Sequence, residues 1–457
     1  MATNSPASRI TEGVIWKQLL SFFFPILLGT FFQQLYNTVD TIIVGRFVGT
    51  QALAAVGSTS AFVNLVNGFF IGLSTGATVL LSQFYGAGDK KGVAEAIHTG
   101  IALSGILGLL TTLLGAGSAP WVLVWTKTPE SCMADALQYC RIYFSGALAS
   151  MIYNMGTGIL RAMGDSRRPM IYLIAACFAN IVLDLLLVVG LQMGVAGAAL
   201  ATVLSQVLSA ALVLITLLKR HGLRLKQLSL KGAFLRRILQ VGLPAGLQFI
   251  TFDLSNVLIQ SGINSFGDIT VAGWTAYVKT DAIVWMISGA FGVAVTTFVG
   301  QNFGAQKYAR IRRSVSTCMI MSVGTQLALS TFLLLFREPI LGIYTTDPAV
   351  IRAGAYVMLW IVPFNAIFMP VEVFAGAMRG TGYSVMPTVI TCTSVCLFRV
   401  LWVAIPVSIW HSVEMLALAY PLSWILAATV FYIAYRRNTW LHKRIRECGL
   451  EPETADR

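Results

Sequence analysis

The sequence predicts an all-α integral membrane protein with twelve transmembrane helices in two six-helix lobes. Three observations predict this fold class: an apolar composition, twelve membrane-length apolar runs, and a repeat that relates the two halves of the chain. Of the 457 residues, 56% are hydrophobic and only 11% are charged, and the mean hydropathy is +0.75. A soluble chain usually carries about 25% charged residues, so this chain could not cover a water-facing surface of its size.

The apolar runs give the elements in order, since a helix needs about 20 apolar residues to cross a bilayer. In the first half they cover residues 16–40, 52–82, 95–118, 135–160, 170–190 and 194–218. In the second half they cover residues 239–263, 271–301, 313–336, 352–378, 388–409 and 413–435. The first run is too long for a signal peptide and is followed by eleven more, so we interpret it as a membrane span.

The basic residues alternate between the loops, and this alternation predicts the orientation. Of the 32 Lys and Arg residues, 25 fall in one set of loops and termini, which includes Arg9 and Arg457. Only four, Arg46, Lys127, Arg337 and Arg352, fall in the opposite loops. We therefore expect a plasma-membrane (inner-membrane) protein with both termini in the cytoplasm. The formal net charge of +13 is then a topology signal, and no nucleic-acid partner is expected.

The sequence contains an internal repeat, in which the second half aligns with the first at an offset of 218 residues. Gly158, Arg161, Gly164 and Pro169 align with Gly376, Arg379, Gly382 and Pro387, and Gln83, Gly86 and Ala87 align with Gln301, Gly304 and Ala305. Six spans per repeat is an even number, so we expect a pseudo-two-fold axis along the membrane normal. The domains predicted are an N-terminal lobe (1–218), a basic cytoplasmic linker (219–238), a C-terminal lobe (239–436) and a cytoplasmic tail (437–457). This architecture favours a transporter with alternating access over a channel.

No catalytic motif is visible. The sequence has no HExxH and no Walker A motif. One GxSxG match, GLSTG from Gly72 to Gly76, lies inside a long apolar run without a preceding strand, which favours helix packing. We expect neither an enzyme nor a resident cofactor or metal.

Polar side chains lie at helical spacing in the first half, where lipid makes them costly. They are Gln33, Tyr36, Asn37 and Asp40 in the first span, Asn180 and Asp184 in the fifth, and Thr202 in the sixth. Pro25 should allow the first helix to kink. Asp184 lies about 21 Å into its span, so it is expected to meet Asp40 in the outer half of the membrane.

Two carboxylates placed together in a low dielectric cannot both ionise easily, so such a pair can hold a proton at neutral pH. Asp40 and Asp184 are therefore predicted to couple transport to protons. The same oxygens, with the amide of Asn180 and the hydroxyl of Thr202, would also suit a sodium ion. The structural alternative is that Asp40 caps a helix end in water.

The polar residues within the spans of the second half differ from those of the first half, and they predict a second polar cavity. Its members are Asp253, Asn256, Lys279, Glu372 and Arg399, with Asp281 two residues after Lys279. The acids do not repeat at the 218-residue offset, so the two halves are expected to have different functions. The alternative to a substrate role is an ion pair in which Lys279 or Arg399 neutralises Glu372 or Asp253.

Five features make the chain resemble the multidrug and toxic compound extrusion (MATE) family, and within it the DinF-like bacterial branch. They are Pro25, NTVDTIIVGRFVG from Asn37 to Gly49, SQFYGAGDKKG from Ser82 to Gly92 with its echo GQNFGAQ from Gly300 to Gln306, GILRAMGDSRRP from Gly158 to Pro169, and NIVLD from Asn180 to Asp184.

The resemblance implies a V-shaped pair of lobes that exports organic cations and amphipathic compounds in exchange for protons or sodium. It implies a coupling site formed by Asp40, Asn180, Asp184 and Thr202, and a cavity that Tyr139 and Asn154 also line. NorM-like members use second-lobe acids in spans where this chain has Asp253 and Glu372, but Lys279 and Arg399 depart from that pattern. We expect a proton-driven exporter that acts as a monomer on small cationic or amphipathic molecules. The alternatives are a sodium-coupled exporter and a flippase or exporter of a lipid-linked or metabolite substrate.

Overall fold

The computed structural model describes residues 10–126, 128–437 and 439–447. Arg9, Lys127 and Arg457, which contributed to the predicted orientation, lie outside these residues. The described part is helical, and its first half comprises α1 (Ile15–Ile43), α2 (Thr50–Gly86), α3 (Lys90–Trp125), α4 (Glu130–Ser145), α5 (Ala147–Ala162), α6 (Arg167–Asp184) and α7 (Gly194–Arg220). The second half comprises α8 (Gly232–Ile263), α9 (Asp268–Gly304), α10 (Tyr308–Leu335), α11 (Arg337–Leu341), α12 (Pro348–Ile361), α13 (Asn365–Gly380), α14 (Val385–Thr391), α15 (Phe398–Trp402), α16 (Val413–Arg436) and α17 (Thr439–Glu447).

The helices account for all twelve predicted spans. Within the described residues, ten helical stretches are long and apolar enough to cross a membrane. The fourth predicted span is helical but is interrupted at Gly146 between α4 and α5, and the seventh is α8. The predicted all-helical, multi-span fold class is therefore confirmed.

The helices α1, α6 and α15 adjoin π-helical turns. These turns are Val44–Val48 after α1, Leu185–Gly190 after α6, and Cys392–Leu397 and Val403–Val407 on either side of α15. A π-helical turn carries one extra residue and recurs at functional sites. Two of the four turns lie close behind the predicted coupling acids, since Asp184 ends α6 and Asp40 is four residues before Val44.

The repeat is visible in a helix contact that both halves share. A Cβ built on Gly158 of α5 would lie 2.4 Å from Thr78 Oγ1 of α2. A Cβ on Gly376 of α13 would lie 3.0 Å from Thr296 Oγ1 of α9. Both members of the second pair are 218 residues after those of the first. Small residues let membrane helices approach closely, so the repeated sequence has produced a repeated close packing of helices.

The chain divides into two compact units. The first unit is Phe24–Leu243, and the second contains residues 10–23 together with the described residues from Pro244 onward. The chain crosses between units within two residues of a proline in both cases, Pro25 in α1 and Pro244 in α8. The first unit has an apolar core around Leu73, Met155 and Val213.

Candidate coupling and substrate site

Asp40 of α1 and Asp184 of α6 come together inside the first unit. They are 7% and 0% exposed, so Asp40 is not a solvated helix cap. Their carboxyl groups lie within hydrogen-bonding reach of each other. No donor reaches either oxygen of Asp184 or Oδ1 of Asp40 within the described residues. Ionised carboxylates only accept hydrogen bonds, so this contact is satisfied when a proton or another cation lies between them.

Asn180 lies one helical turn before Asp184 on α6 and adds an amide to the pair. It is 0% exposed, and neither its amide nitrogen nor its oxygen has a partner in the described part of the chain. Buried polar groups are normally hydrogen-bonded, and unsatisfied ones call for an explanation. Thr202 of α7, the fourth predicted member, is also buried.

Tyrosines form one side of the site. The rings of Tyr139 and Tyr143 stack with centroids 6.1 Å apart and planes at 15°. Tyr139 and Tyr36 are both close enough to Asp40 to interact with it electrostatically, and Gln33 lies near Tyr36. Aromatic faces beside buried carboxylates suit a flat organic cation, because rings attract cations through their faces.

Asn67 and Gln206 are two members of this site that the sequence analysis missed. Asn67 Nδ2 donates to the Tyr143 hydroxyl at 2.9 Å, and the Gln206 side chain lies near that hydroxyl. Gln206 lies four residues after Thr202, so the helical spacing that selected the other residues could have found it. Asn67 lies three residues after Asn64 in the second span, so the same spacing could have drawn attention to it.

Other predicted cavity residues are less engaged. Asn154 is half-buried and donates to the Ser150 carbonyl oxygen of its own helix at 2.9 Å. Gln33 and Asn37 are exposed, although Gln33 lies near Tyr36. Pro25 lies inside α1, where the kink stays a prediction.

The predicted residues of the second cavity have partners that differ from those expected. Glu372 pairs with Arg379 on its own helix at 3.5 Å, so the proposed pairing of Glu372 with Lys279 or Arg399 is wrong. Lys279 is exposed and Asp253 is half-buried. No side-chain hydrogen bond or ion pair of either residue is found in the described ranges.

Arg399 and Asn256, two predicted residues of the second cavity, are close to each other, and the buried acid Asp281 lies in the same unit. Arg399 Nη1 lies 3.5 Å from Asn256 Oδ1. Asp281 is 6% exposed and accepts a hydrogen bond from Trp285 Nε1 at 2.7 Å and from Asn365 Nδ2 at 3.5 Å. Over the described residues, no group of three His, Cys, Asp or Glu could hold a metal ion.

Comparison with known proteins places these features in a family. The MatE family model matches residues 25–186 and again residues 244–405, once in each half. The chain is 29% identical over 438 residues to the probable multidrug resistance protein YpnP of Bacillus subtilis, covering 95% of this chain and 98% of that protein. It is 23% identical over 433 residues to an FAD transporter of Shewanella oneidensis, covering 92% and 95%. A MOP superfamily transporter from Pyrococcus furiosus has a solved structure with a TM-score of 0.88, at 22% identity over 96% of this chain and 99% of that chain.

The protein is helical, has many spans and consists of two repeats, one of which buries the two acids of the candidate coupling site. These are features of a membrane transporter rather than of an enzyme. The chain belongs to the MATE family, because the family model covers more than half of it.

Proposed function

We propose that this protein is a secondary-active multidrug antiporter of the DinF-like branch, which exports organic cations or amphipathic compounds in exchange for protons. The observation that carries the proposal is the contact between the buried carboxyl groups of Asp40 and Asp184, three of whose oxygens have no donor among the described residues. The likeness to YpnP over nearly the whole chain supports a drug-like substrate. The alternation of basic loops supports an orientation in the plasma membrane with both termini in the cytoplasm, and we propose that the protein acts as a monomer.

The carboxyl pair gives the exchange its chemistry. When the pair has lost its shared proton, the extra negative charge attracts a cationic substrate to the tyrosines beside Asp40. When the proton returns, that attraction is lost and the substrate leaves. Proton and substrate therefore compete, and each lowers the affinity for the other by the same factor. A bend of α1 at Pro25 would let Asp40 follow its protonation state.

The test is efflux of a lipophilic cation from cells that express the full chain, before and after an external pH step. We expect Asp40→Asn and Asp184→Asn to lose the pH response, because an amide cannot exchange a proton. Asp268→Asn is the matched control, since Asp268 is exposed at the start of α9. A pH response that survives in both core variants would exclude this mechanism.

Sodium coupling is the second candidate, and Asn180 is the observation that favours it. Its unpartnered carbonyl oxygen beside two carboxylates resembles the oxygen set that hard cations prefer. Efflux that responds to external sodium but not to the pH step would promote this candidate. A dedicated metabolite substrate is the remaining alternative, and the likeness to an FAD transporter supports keeping it in the substrate screen.

A further inference from the structure

The second unit contains a buried guanidinium, that of Arg399, which has no role in the proposed coupling mechanism. Arg399 is 1% exposed and sits on α15 between two π-helical turns. It follows Val385, where this helical segment begins, by 14 residues, or about 21 Å of helix. A charge at that depth is costly, and such residues normally serve transport or binding.

Two hydrogen bonds and two aromatic rings contact the guanidinium of Arg399. Its Nε donates to Ser423 Oγ at 3.1 Å, and its Nη1 lies 3.5 Å from Asn256 Oδ1. The ring centroids of Tyr420 and Phe252 lie 4.1 Å and 5.5 Å from its Cζ. Its Nη2 has no acceptor among the described residues. The group is thus fixed in position, with one pair of N–H donors left to offer.

No carboxylate of the described chain forms an ion pair with Arg399. Asp281 interacts with it electrostatically, but the Asp281 carboxylate is bound by Trp285 and Asn365 instead. Burying a charge without a directly bonded counter-charge is costly, and a bound anion would offset that cost.

Five aromatic side chains form a continuous circuit that starts and ends at Arg399. Successive ring centroids are 5.7 Å apart for Phe252 and Trp285, 4.9 Å for Trp285 and Phe368, 5.8 Å for Phe368 and Trp424, and 5.9 Å for Trp424 and Tyr420. The indole nitrogen of Trp424 is a second buried donor without an acceptor in the described part. This aromatic circuit combines apolar ring surfaces with unsatisfied N–H donors, a composition suited to an aromatic anion.

We propose that Arg399 binds the carboxylate of an aromatic, amphipathic substrate within the aromatic circuit. Nη2 is the guanidinium nitrogen without an acceptor among the described residues, so the contact is made there through a charge-assisted hydrogen bond. The inference deepens the proposed export function, on which it rests for its role in transport. It extends the substrate class from cations to molecules that also, or only, carry a carboxylate.

The test is equilibrium binding to the purified full chain in nanodiscs, in chloride-free buffer, with 2-naphthoate and its neutral analogue 2-naphthamide as probes. We expect the wild type to prefer naphthoate by about tenfold or more, as charge-assisted hydrogen bonds imply. Arg399→Gln should bind both probes equally, and Arg399→Lys should keep part of the preference. Asp281→Asn should bind naphthoate several-fold more tightly, because a neighbouring negative charge is gone.

A wild type that does not prefer naphthoate would overturn the proposal, as would an Arg399→Gln variant that keeps the preference. If Arg399→Gln does not fold, the wild-type and Arg399→Lys preferences decide the matter. A purely structural Arg399 would change the thermal unfolding of the variants without any difference between the probes. The binding measurement needs no proton gradient, so its failure is distinct from a failure of the pH-step experiment on Asp40 and Asp184.

Discussion

The Tyr143 hydroxyl shows how single residues shape the substrate site. It receives a hydrogen bond from Asn67 Nδ2 at 2.9 Å, and its ring stacks on that of Tyr139. We expect Asn67→Leu to weaken binding of a flat organic cation by about three- to tenfold, since one hydrogen bond is worth about 1 kcal/mol. The pH response of efflux should persist, because the carboxyl pair is untouched. Substrate titrations of binding to the purified protein would measure the change.

Asn154→Leu is the contrasting variant for that measurement. Its amide is bonded to its own helix at Ser150, so we expect a change of less than about twofold in affinity. A loss equal to that of Asn67→Leu would show that Asn154 lines the site and that the Tyr143 hydrogen bond is not what positions the substrate.

Helical spacing was sufficient to select Asp40, Asn180 and Asp184, because residues three or four apart share a face and lipid penalises each of them. Partners on other helices were beyond that reasoning. The bond from Asn67 to Tyr143 joins residues 76 positions apart and leaves no periodic signal. Glu372 was assigned partners on other spans, whereas Arg379 lies two turns along its own helix.

At the scale of elements, α2 and α8 approach each other closely at Gly76. A Cβ on Gly76 would lie 2.2 Å from the Ile238 carbonyl oxygen and 2.8 Å from the Gly242 nitrogen. Both contacts are with backbone, which cannot rotate away, so Gly76→Ala should force the helices apart. We expect the free energy of unfolding to fall by about 1–3 kcal/mol. Thermal unfolding in detergent measures it, with Gly105→Ala as the control because nothing lies within 4 Å of its added methyl group.

The residues before α1 are held by the start of α10 within the second unit. Arg310 donates to the carbonyl oxygens of Ile10, Glu12 and Gly13 at 2.9–3.2 Å, and Lys307 Nζ donates to Thr11 at 3.0 Å. We expect Arg310→Ala to free this segment, so that hydrogen exchange of residues 10–18 accelerates about tenfold or more. Mass spectrometry of the exchanged peptides would report it.

Arg313→Ala is the matched control for the Arg310 experiment. Arg313 lies almost one turn further along α10 and is exposed, and the structure shows no hydrogen bond from it to this segment in the described residues. Equal exchange in the two variants would mean that positive charge in general, rather than the Arg310 hydrogen bonds, orders the segment.

Apolar run length predicted helices at all twelve positions, and ten helical stretches of the described residues are long and apolar enough to cross a bilayer. The same reasoning placed the fourth span as one helix and missed its interruption at Gly146. A break that preserves the apolar pattern changes backbone geometry without changing hydropathy. The docking of residues 10–18 on Arg310 was also not predicted, since it depends on backbone carbonyls that every sequence has.

At the scale of the whole molecule, the carboxyl pair predicts the stoichiometry of exchange. Two adjacent carboxylates in low dielectric share one proton, so one proton should enter for each substrate that leaves. For a monovalent cation this exchange moves no net charge. The steady-state substrate ratio should then change about tenfold per pH unit and should not respond to membrane potential. Proteoliposomes that contain the full chain, with the pH gradient and a potassium diffusion potential set independently, would measure both dependences.

The reverse exchange supplies the control for this prediction. Because linkage is reciprocal, an imposed substrate gradient should move protons in the opposite direction, and Asp184→Asn should abolish both directions together. A substrate ratio of about a hundredfold per pH unit, or one that follows the diffusion potential, would mean that more than one proton crosses per cycle. The single shared proton between Asp40 and Asp184 would then not be the whole coupling device, and a second titratable group would have to take part.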